Sequence, residues 1–295
     1  MSGKKPVETK RKLDSIVPSG SEVKRIATGF QFTEGPVWND HGGFLLFSDI
    51  PANQVCRWFP DGMVNVFREP SGNSNGLTYD KKGRLILCEH GNRRLSRVEK
   101  DGSTAVLADR FQGKRLNSPN DVVVKSNGMI YFTDPPYGIK PEEQELPFQG
   151  MFRLDPDSRE LTLLVDDFER PNGLAFSPNE RVLYVADSSP RRHVRAFDVN
   201  RDGTLKNSRV FCEIRAKGEG NPDGMKVDVE GNLYVAAAGG VWVFSPQAEF
   251  LDVIKTPETP ANCAWGGSDW KTLFITARKS LYSIGLRVPG VKWHR

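Results

Sequence analysis

The sequence predicts an all-β protein, a six-bladed β-propeller with four antiparallel strands per blade. Three observations carry this. One hairpin pattern recurs six times at steps of 41, 45, 52, 51 and 39 residues, and four strands per 40–50 residues is the period of a propeller blade. Glycine (28), proline (20) and phenylalanine (17) are all abundant among 295 residues, which favours short strands joined by turns. No 3.6-residue apolar periodicity runs through the chain, which excludes a helical solenoid.

Composition narrows the function classes. Hydrophobic residues make up 38%, mean hydropathy is −0.48, and no run approaches the ~18 apolar residues of a membrane helix. A globular protein with no membrane role is therefore expected. The net charge of +4 is dispersed and no basic patch is interleaved with aromatics, so no nucleic-acid partner is expected.

The elements follow in chain order. Residues 1–20, MSGKKPVETKRKLDSIVPSG, read as a basic, flexible tail, ahead of a single propeller over 21–295. The tail contains no apolar signal-peptide core. Cytoplasm is expected, with periplasm or secretion the alternative if a leader was removed. The segment Glu22–Ala27 has no partner of its own. It is expected to supply the outer strand of blade six and close the ring. The six hairpins are 34–49 (EGPVWNDHGGFLLFSD), 75–89 (NGLTYDKKGRLILCE), 120–134 (NDVVVKSNGMIYFTD), 172–187 (NGLAFSPNERVLYVAD), 223–237 (DGMKVDVEGNLYVAA) and 262–277 (NCAWGGSDWKTLFITA). In each, a short apolar strand, a Gly/Asn/Asp turn and a second apolar strand follow one another. Cys56, Cys88, Cys212 and Cys263 have no metal-like or CxxC spacing and read as buried small hydrophobes.

The residues that open the repeats are Glu34, Asn75, Asn120, Asn172, Asp223 and Asn262. Asn-Gly and Asp-Gly are also turn formers, so one reading makes these turn residues. The other is geometric. The first strand of each blade lines the propeller axis, so six equivalent oxygen-bearing side chains converge on one mouth of the channel. Such a set favours Ca²⁺, with Mg²⁺ or Mn²⁺ next and Zn²⁺ least, and Glu34 with Asp223 would neutralise a dication. The second strands end in Asp49, Glu89, Asp134, Asp187, Ala237 and Ala277. The four acids could orient the metal ligands or bond to connecting backbone. His90, the Pro135-Pro136-Tyr137 turn, Ser188 and Arg278 lie just beyond. The insertion Gly138–Gln149 would form a pocket wall or lid.

The segments FTEGPVW, RLNSPNDVVV, YFTDPPYG, RPNGLAFS and NPDGMKVD resemble the gluconolactonase family, which includes senescence marker protein (regucalcin). The likeness covers about residues 22–290, and EHGNRR at 89–94 with the TDPPYG turn is most similar to bacterial gluconolactonases. The resemblance implies a six-bladed propeller with an axial divalent cation, usually calcium, that hydrolyses sugar lactones. It implies Glu34, Asn120, Asn172 and Asp223 around the metal, and Asp223 as acid/base. Regucalcin-like members hold substrate with an Arg-x-Asn-Asp cluster. Here Ser118 stands two before Asn120 and the nearest arginine is Arg115, so His90, Arg115, Tyr137 and Asn120 are the candidate substrate-binding residues.

The reaction expected is metal-assisted opening of a small-molecule lactone, with Asp223, or alternatively His90, shuttling the proton. No G-x-S-x-G nucleophile motif is present. An arylesterase or organophosphate hydrolase on the same ring is one alternative. A non-enzymatic propeller scaffold is another.

Overall fold

A computed structural model describes residues 12–216 and 218–292. They form six four-stranded antiparallel sheets arranged as the blades of a propeller, plus a small two-stranded ribbon. Blade one runs through Thr33–Asn39, Phe44–Asp49, Gln54–Trp58 and Val64–Arg68. Blades two to five repeat this order, beginning at Ser74, Val122, Pro171 and Met225. Blade six takes Pro260–Gly266, Thr272–Ala277 and Ser280–Gly285 from the chain's end. Its outer strand, Lys24–Thr28, comes from the chain's beginning. That strand pairs in the register Lys24↔Ser283 to Thr28↔Ser280, so the ring closes by hydrogen bonds between the two ends.

Alternation explains the packing. Each middle strand is buried on both faces, as in Phe44–Asp49 (FLLFSD), Ile130–Asp134 (IYFTD) and Val182–Asp187 (VLYVAD), because a blade is covered by its neighbours on both sides. Outer strands such as Val64–Arg68 are largely exposed. Blade six packs on blade one through Trp38 stacked on Phe274, with ring centroids 5.5 Å apart. Cys56, Cys88, Cys212 and Cys263 are unbridged and lie in the interior, as small apolar fillers do.

Of the segment expected to be a tail, residues 1–11 lie outside the described residues. Lys12–Ser15 form a 3-10 turn. Leu13 and Ile16 are buried in the same apolar cluster as the blade-six residues Leu273 and Tyr282, and the Ile16 carbonyl accepts from the Arg287 N–H (2.8 Å). The C-terminal segment crosses the far face of the ring. There the Val229 N–H donates to the Pro289 carbonyl and the Gly290 N–H to that of Trp270. No helix among the described residues is long and apolar enough to cross a membrane.

Candidate active site

Four of the six repeat-opening residues sit where the first strand breaks register. The pairing shifts between Glu34 and Val37, between Ser74 and Leu77, between Pro171 and Leu174, and between Pro260 and Asn262. A bulge turns a side chain out of the pleat, and here it turns toward the axis. The glycines that follow are not turn glycines. A Cβ on Gly76, Gly173 or Gly224 would lie 2.6 Å from the Asn120 carbonyl oxygen, 2.3 Å from that of Asp223 and 1.9 Å from the Asn262 amide carbon. At these three positions a blade presses on the backbone or, for Gly224, the axial amide of the next, and only a hydrogen atom fits between them. The turn reading of Asn-Gly and Asp-Gly is therefore replaced at these positions by close packing of neighbouring blades.

The strand-end acids have a specific task. Asp49 accepts the N–H groups of Gln31 and Phe32 (3.0 Å each). Asp134 accepts those of Asn117 (2.7 Å) and Ser118 (2.8 Å). Asp187 accepts those of Glu169 (3.4 Å) and Arg170 (3.1 Å). In all three blades the donors lie three and two residues ahead of the axial residue. Each carboxylate thus satisfies the backbone that delivers Glu34, Asn120 or Asn172. Glu89 departs from the pattern and binds Asn92, Arg94 and Ser96.

Glu34, Asn75, Asn120, Asn172 and Asp223 share one cavity of about 300 Å³ at the mouth. Phe32, Ile50, His90, Tyr137, Ser188 and Asn221 form its remaining walls. Amide hydrogen bonds orient some of these groups. Asn172 Nδ2 donates to Ser188 Oγ (3.0 Å), which leaves its oxygen for the axis. Asn262 is used differently. Its Nδ2 donates to Glu34 Oε2 (2.9 Å) and its oxygen accepts from the Cys263 N–H (2.8 Å). It braces the glutamate from below and does not line the mouth. Tyr137 directs its hydroxyl at Ser188 and Asn172.

The electrostatics are those of crowded acids. Burial, and then the charge of Asp121, push the Glu34 carboxyl up to about 7. Burial, then Glu34 and Asp121, hold Asp223 well above the usual carboxylate range. Asp121 is a third axial carboxylate. It is 3% exposed, and its Oδ2 has no hydrogen-bond partner among the described residues. The Lys226 charge offsets part of this at Glu34 and Asp121, but burial of the like charges still leaves them costly. A dication between Glu34 and Asp223 would remove that cost, and oxygen-only donors suit Ca²⁺. The residues present therefore fit such an ion. His90 has no acid partner, and burial lowers its pKa to about 4, so the imidazole is neutral near pH 7.

Comparison with known proteins bears on this ring. The pattern described as the SMP-30/Gluconolactonase/LRE-like region matches residues 32–279. The chain belongs to that family. It is 38% identical to a gluconolactonase of Zymomonas mobilis, over 95% of this chain and 85% of that one. It is 30% identical to regucalcin of Bos taurus, over 86% and 85%. A solved gluconolactonase from Xanthomonas campestris superposes with a TM-score of 0.85 at 36% identity, covering 93% of this chain and 92% of the other.

In this gluconolactonase-family ring, Arg115 is not among the residues that line the mouth. It reaches the Asn92 carbonyl (3.3 Å) while its own N–H donates to Glu145 (2.7 Å). Ser118 holds the turn above the mouth, its Oγ accepting the Gly138 N–H (3.0 Å). Arg93 fastens the insertion by donating to the carbonyls of Leu116 (2.8 Å), Asn117 (3.1 Å) and Glu143 (2.9 Å). Sequence reading missed Phe32, Ile50 and Asn221 as walls, and Asp121 as a third axial acid. Phe32 and Asn221 each lie two residues ahead of an axial residue, and that spacing is the signal that would have found them.

Proposed function

We propose that the chain is a metal-dependent hydrolase that opens sugar lactones to aldonic acids at this mouth. Family membership supports the class, a carboxylic ester hydrolase of the lactonase type. The observation that carries the reading is the convergence of Glu34, Asn120, Asn172 and Asp223 on one polar cavity. Those four residues would hold a divalent cation, most suitably Ca²⁺, with Mg²⁺ or Mn²⁺ as substitutes. Such an ion, when bound, supplies a Lewis acid for the lactone carbonyl and stabilises the oxyanion that follows.

The protein's own groups do the rest. Asp223 opens on the cavity and takes a proton from a water that attacks the carbonyl carbon. The same carboxyl returns the proton to the ring oxygen as the C–O bond breaks, which leaves an acid and an alcohol. Asn75 and His90, 3.4 Å apart, offer polar contacts to sugar hydroxyls, and Tyr137 covers the site from the insertion side. The walls are polar except for Phe32 and Ile50, which favours sugar lactones over aryl esters or phosphotriesters.

The test is a pH-stat assay over aldonolactones, aryl esters and a phosphotriester, with Ca²⁺ or EDTA. Lactone turnover that needs metal and vanishes in Asp223→Ala is the expected result. Turnover indifferent to EDTA, or retained in that variant, sinks the assignment.

A further inference from the structure

Beside the mouth lies a second cleft of about 440 Å³, lined by Glu169, Arg170, Ser188, Pro190, Arg192 and Asn221. Ser188 and Asn221 also line the axial cavity, so the two spaces meet along a shared wall. Their charges differ in sign. The axial cavity holds carboxylates and no cationic side chain. The side cleft holds two arginines and one acid, and that acid is already paired, Glu169 with Arg191 at 2.9 Å.

The two arginines are not equivalent. Arg192 is spent on the framework, donating to Asn221 Oδ1 (2.9 Å) and to the carbonyls of Ala216 (3.0 Å) and Gly218 (3.3 Å). It thereby fixes the dividing wall. Arg170 is anchored through its backbone alone, its N–H donating to Asp187 (3.1 Å) and its carbonyl accepting from the Ser188 N–H (2.9 Å). Among the described residues its guanidinium makes no ion pair or side-chain hydrogen bond. It stands two residues ahead of Asn172, as Phe32 stands to Glu34 and Asn221 to Asp223, which face the mouth, and as Asn73 and Ser118 stand to Asn75 and Asn120, which do not line it. Arg170 is exposed and lines the side cleft beside Ser188 and Asn221, the residues that the cleft shares with the mouth.

We propose that Arg170 is a specificity residue, and that the side cleft receives an anionic substituent, a carboxylate or phosphate, on the lactone whose carbonyl lies at the axis. This rests on the lactonase reading above and names its substrate class. A guanidinium without a protein partner, in a recess that shares the Ser188 and Asn221 wall with the reacting cavity, is suited to a planar or tetrahedral oxyanion through two parallel N–H bonds. A neutral lactone would leave it facing solvent.

Two measurements test this. The first compares kcat/KM for 6-phosphoglucono-lactone and glucaro-lactone with that for neutral glucono-lactone, in the wild type, Arg170→Gln and Arg170→Lys. The expected wild-type preference for an anionic lactone is about tenfold. It should collapse toward one in Arg170→Gln, recover in part in Arg170→Lys, and shrink with added salt. The larger of the two anionic ratios tells phosphate from carboxylate. A wild-type ratio at or below one, or one unchanged in Arg170→Gln, overturns the proposal.

The second measurement is equilibrium binding of 6-phosphogluconate, glucarate and gluconate, which needs no turnover. If no lactone is hydrolysed but 6-phosphogluconate or glucarate binds more tightly than gluconate in an Arg170-dependent way, the lactonase reading fails and the cleft stands. If lactones are hydrolysed and neither ratio depends on Arg170, the cleft fails alone.

Discussion

At the scale of single residues the axis is an electrostatic problem with a chemical use. Glu34 and Asp223 are pressed together with Asp121 in a space that penalises negative charge. Without metal, Glu34 carries a proton in the fold at pH values where the unfolded chain has released it. Its carboxyl is raised from 4.5 to about 7, so the native state binds more protons in that window. This contribution to stability is full below 4.5 and is lost as pH rises through about 7. His90 is depressed to about 4 and works in the opposite direction. The clean observable is therefore the gain in melting temperature on adding Ca²⁺, in which the His90 contribution cancels. That gain should grow between pH 4.5 and 7, as a cation replaces protons. A gain independent of pH, or none at all, would contradict the ring as a metal site. Glu34→Gln should reduce the gain sharply while the metal-free melting temperature holds or rises, because a buried acid has been replaced by an amide.

Elements matter because they aim these residues. In blades one, three and four the acid that ends the second strand receives the two N–H groups three and two places ahead of the axial residue. Removing one acid leaves two backbone donors without their acceptor, at about 1–3 kcal/mol where they are buried, as at Asp134, and less where they are part-buried, as at Asp187. Asp187→Ala should lower the denaturation midpoint and also weaken Ca²⁺ binding by releasing Asn172. Lost stability with unchanged Ca²⁺ affinity would mean the acid braces the blade but not the site. The blade contacts make a second prediction. Gly173→Ala puts a methyl 2.3 Å from the Asp223 carbonyl oxygen, whereas a Cβ on Gly285 meets nothing within 4 Å. The first should cost about 1–3 kcal/mol and the second less than about 0.5 kcal/mol, read by chemical denaturation. Equal effects would refute the close-packing account.

These elements also mark what a sequence can disclose. Strand periodicity and turn residues repeat in one dimension, so the six hairpins and the axial residues were readable by alignment of the chain with itself. Gly76 and Gly173 were misleading, because Asn-Gly signals a local turn while the contact that demands glycine comes from the next blade, about 50 residues away. The strand-end acids were legible as acids near the mouth, but which of two tasks they perform depends on hydrogen bonds across the blade. Arg115 looked close to Asn120 along the chain, yet the ribbon of Arg110–Phe111 with Lys114–Arg115 carries it outward to Asn92 and Glu145. Asp121 was passed over because the hairpin pattern assigns that position to the strand.

For the whole molecule the decisive feature is closure. The outer strand of blade six, Lys24–Thr28, is held to Ser280–Gly285, and the segment before it buries Leu13 and Ile16 against the same blade. A variant that begins at residue 29 would leave Ser280–Gly285 as an open edge and expose that apolar surface. It should melt lower, self-associate on sizing columns, and bind Ca²⁺ less tightly because the ring can splay. A monomeric variant of wild-type stability would show that the closing strand is dispensable.

The same closure imposes an order in time. Thr28 and its partner Ser280 are 252 positions apart. At about 5–20 residues per second, synthesis of the intervening chain takes about 10–50 s. During that interval the strand Lys24–Thr28 waits without its partner. Glu34 likewise lacks the amide that braces it until blade six, which carries Asn262, has been made. Closure therefore comes only after the last hairpin is made, and until then the segment Lys24–Thr28 is an unclaimed β-edge within reach of neighbouring nascent chains.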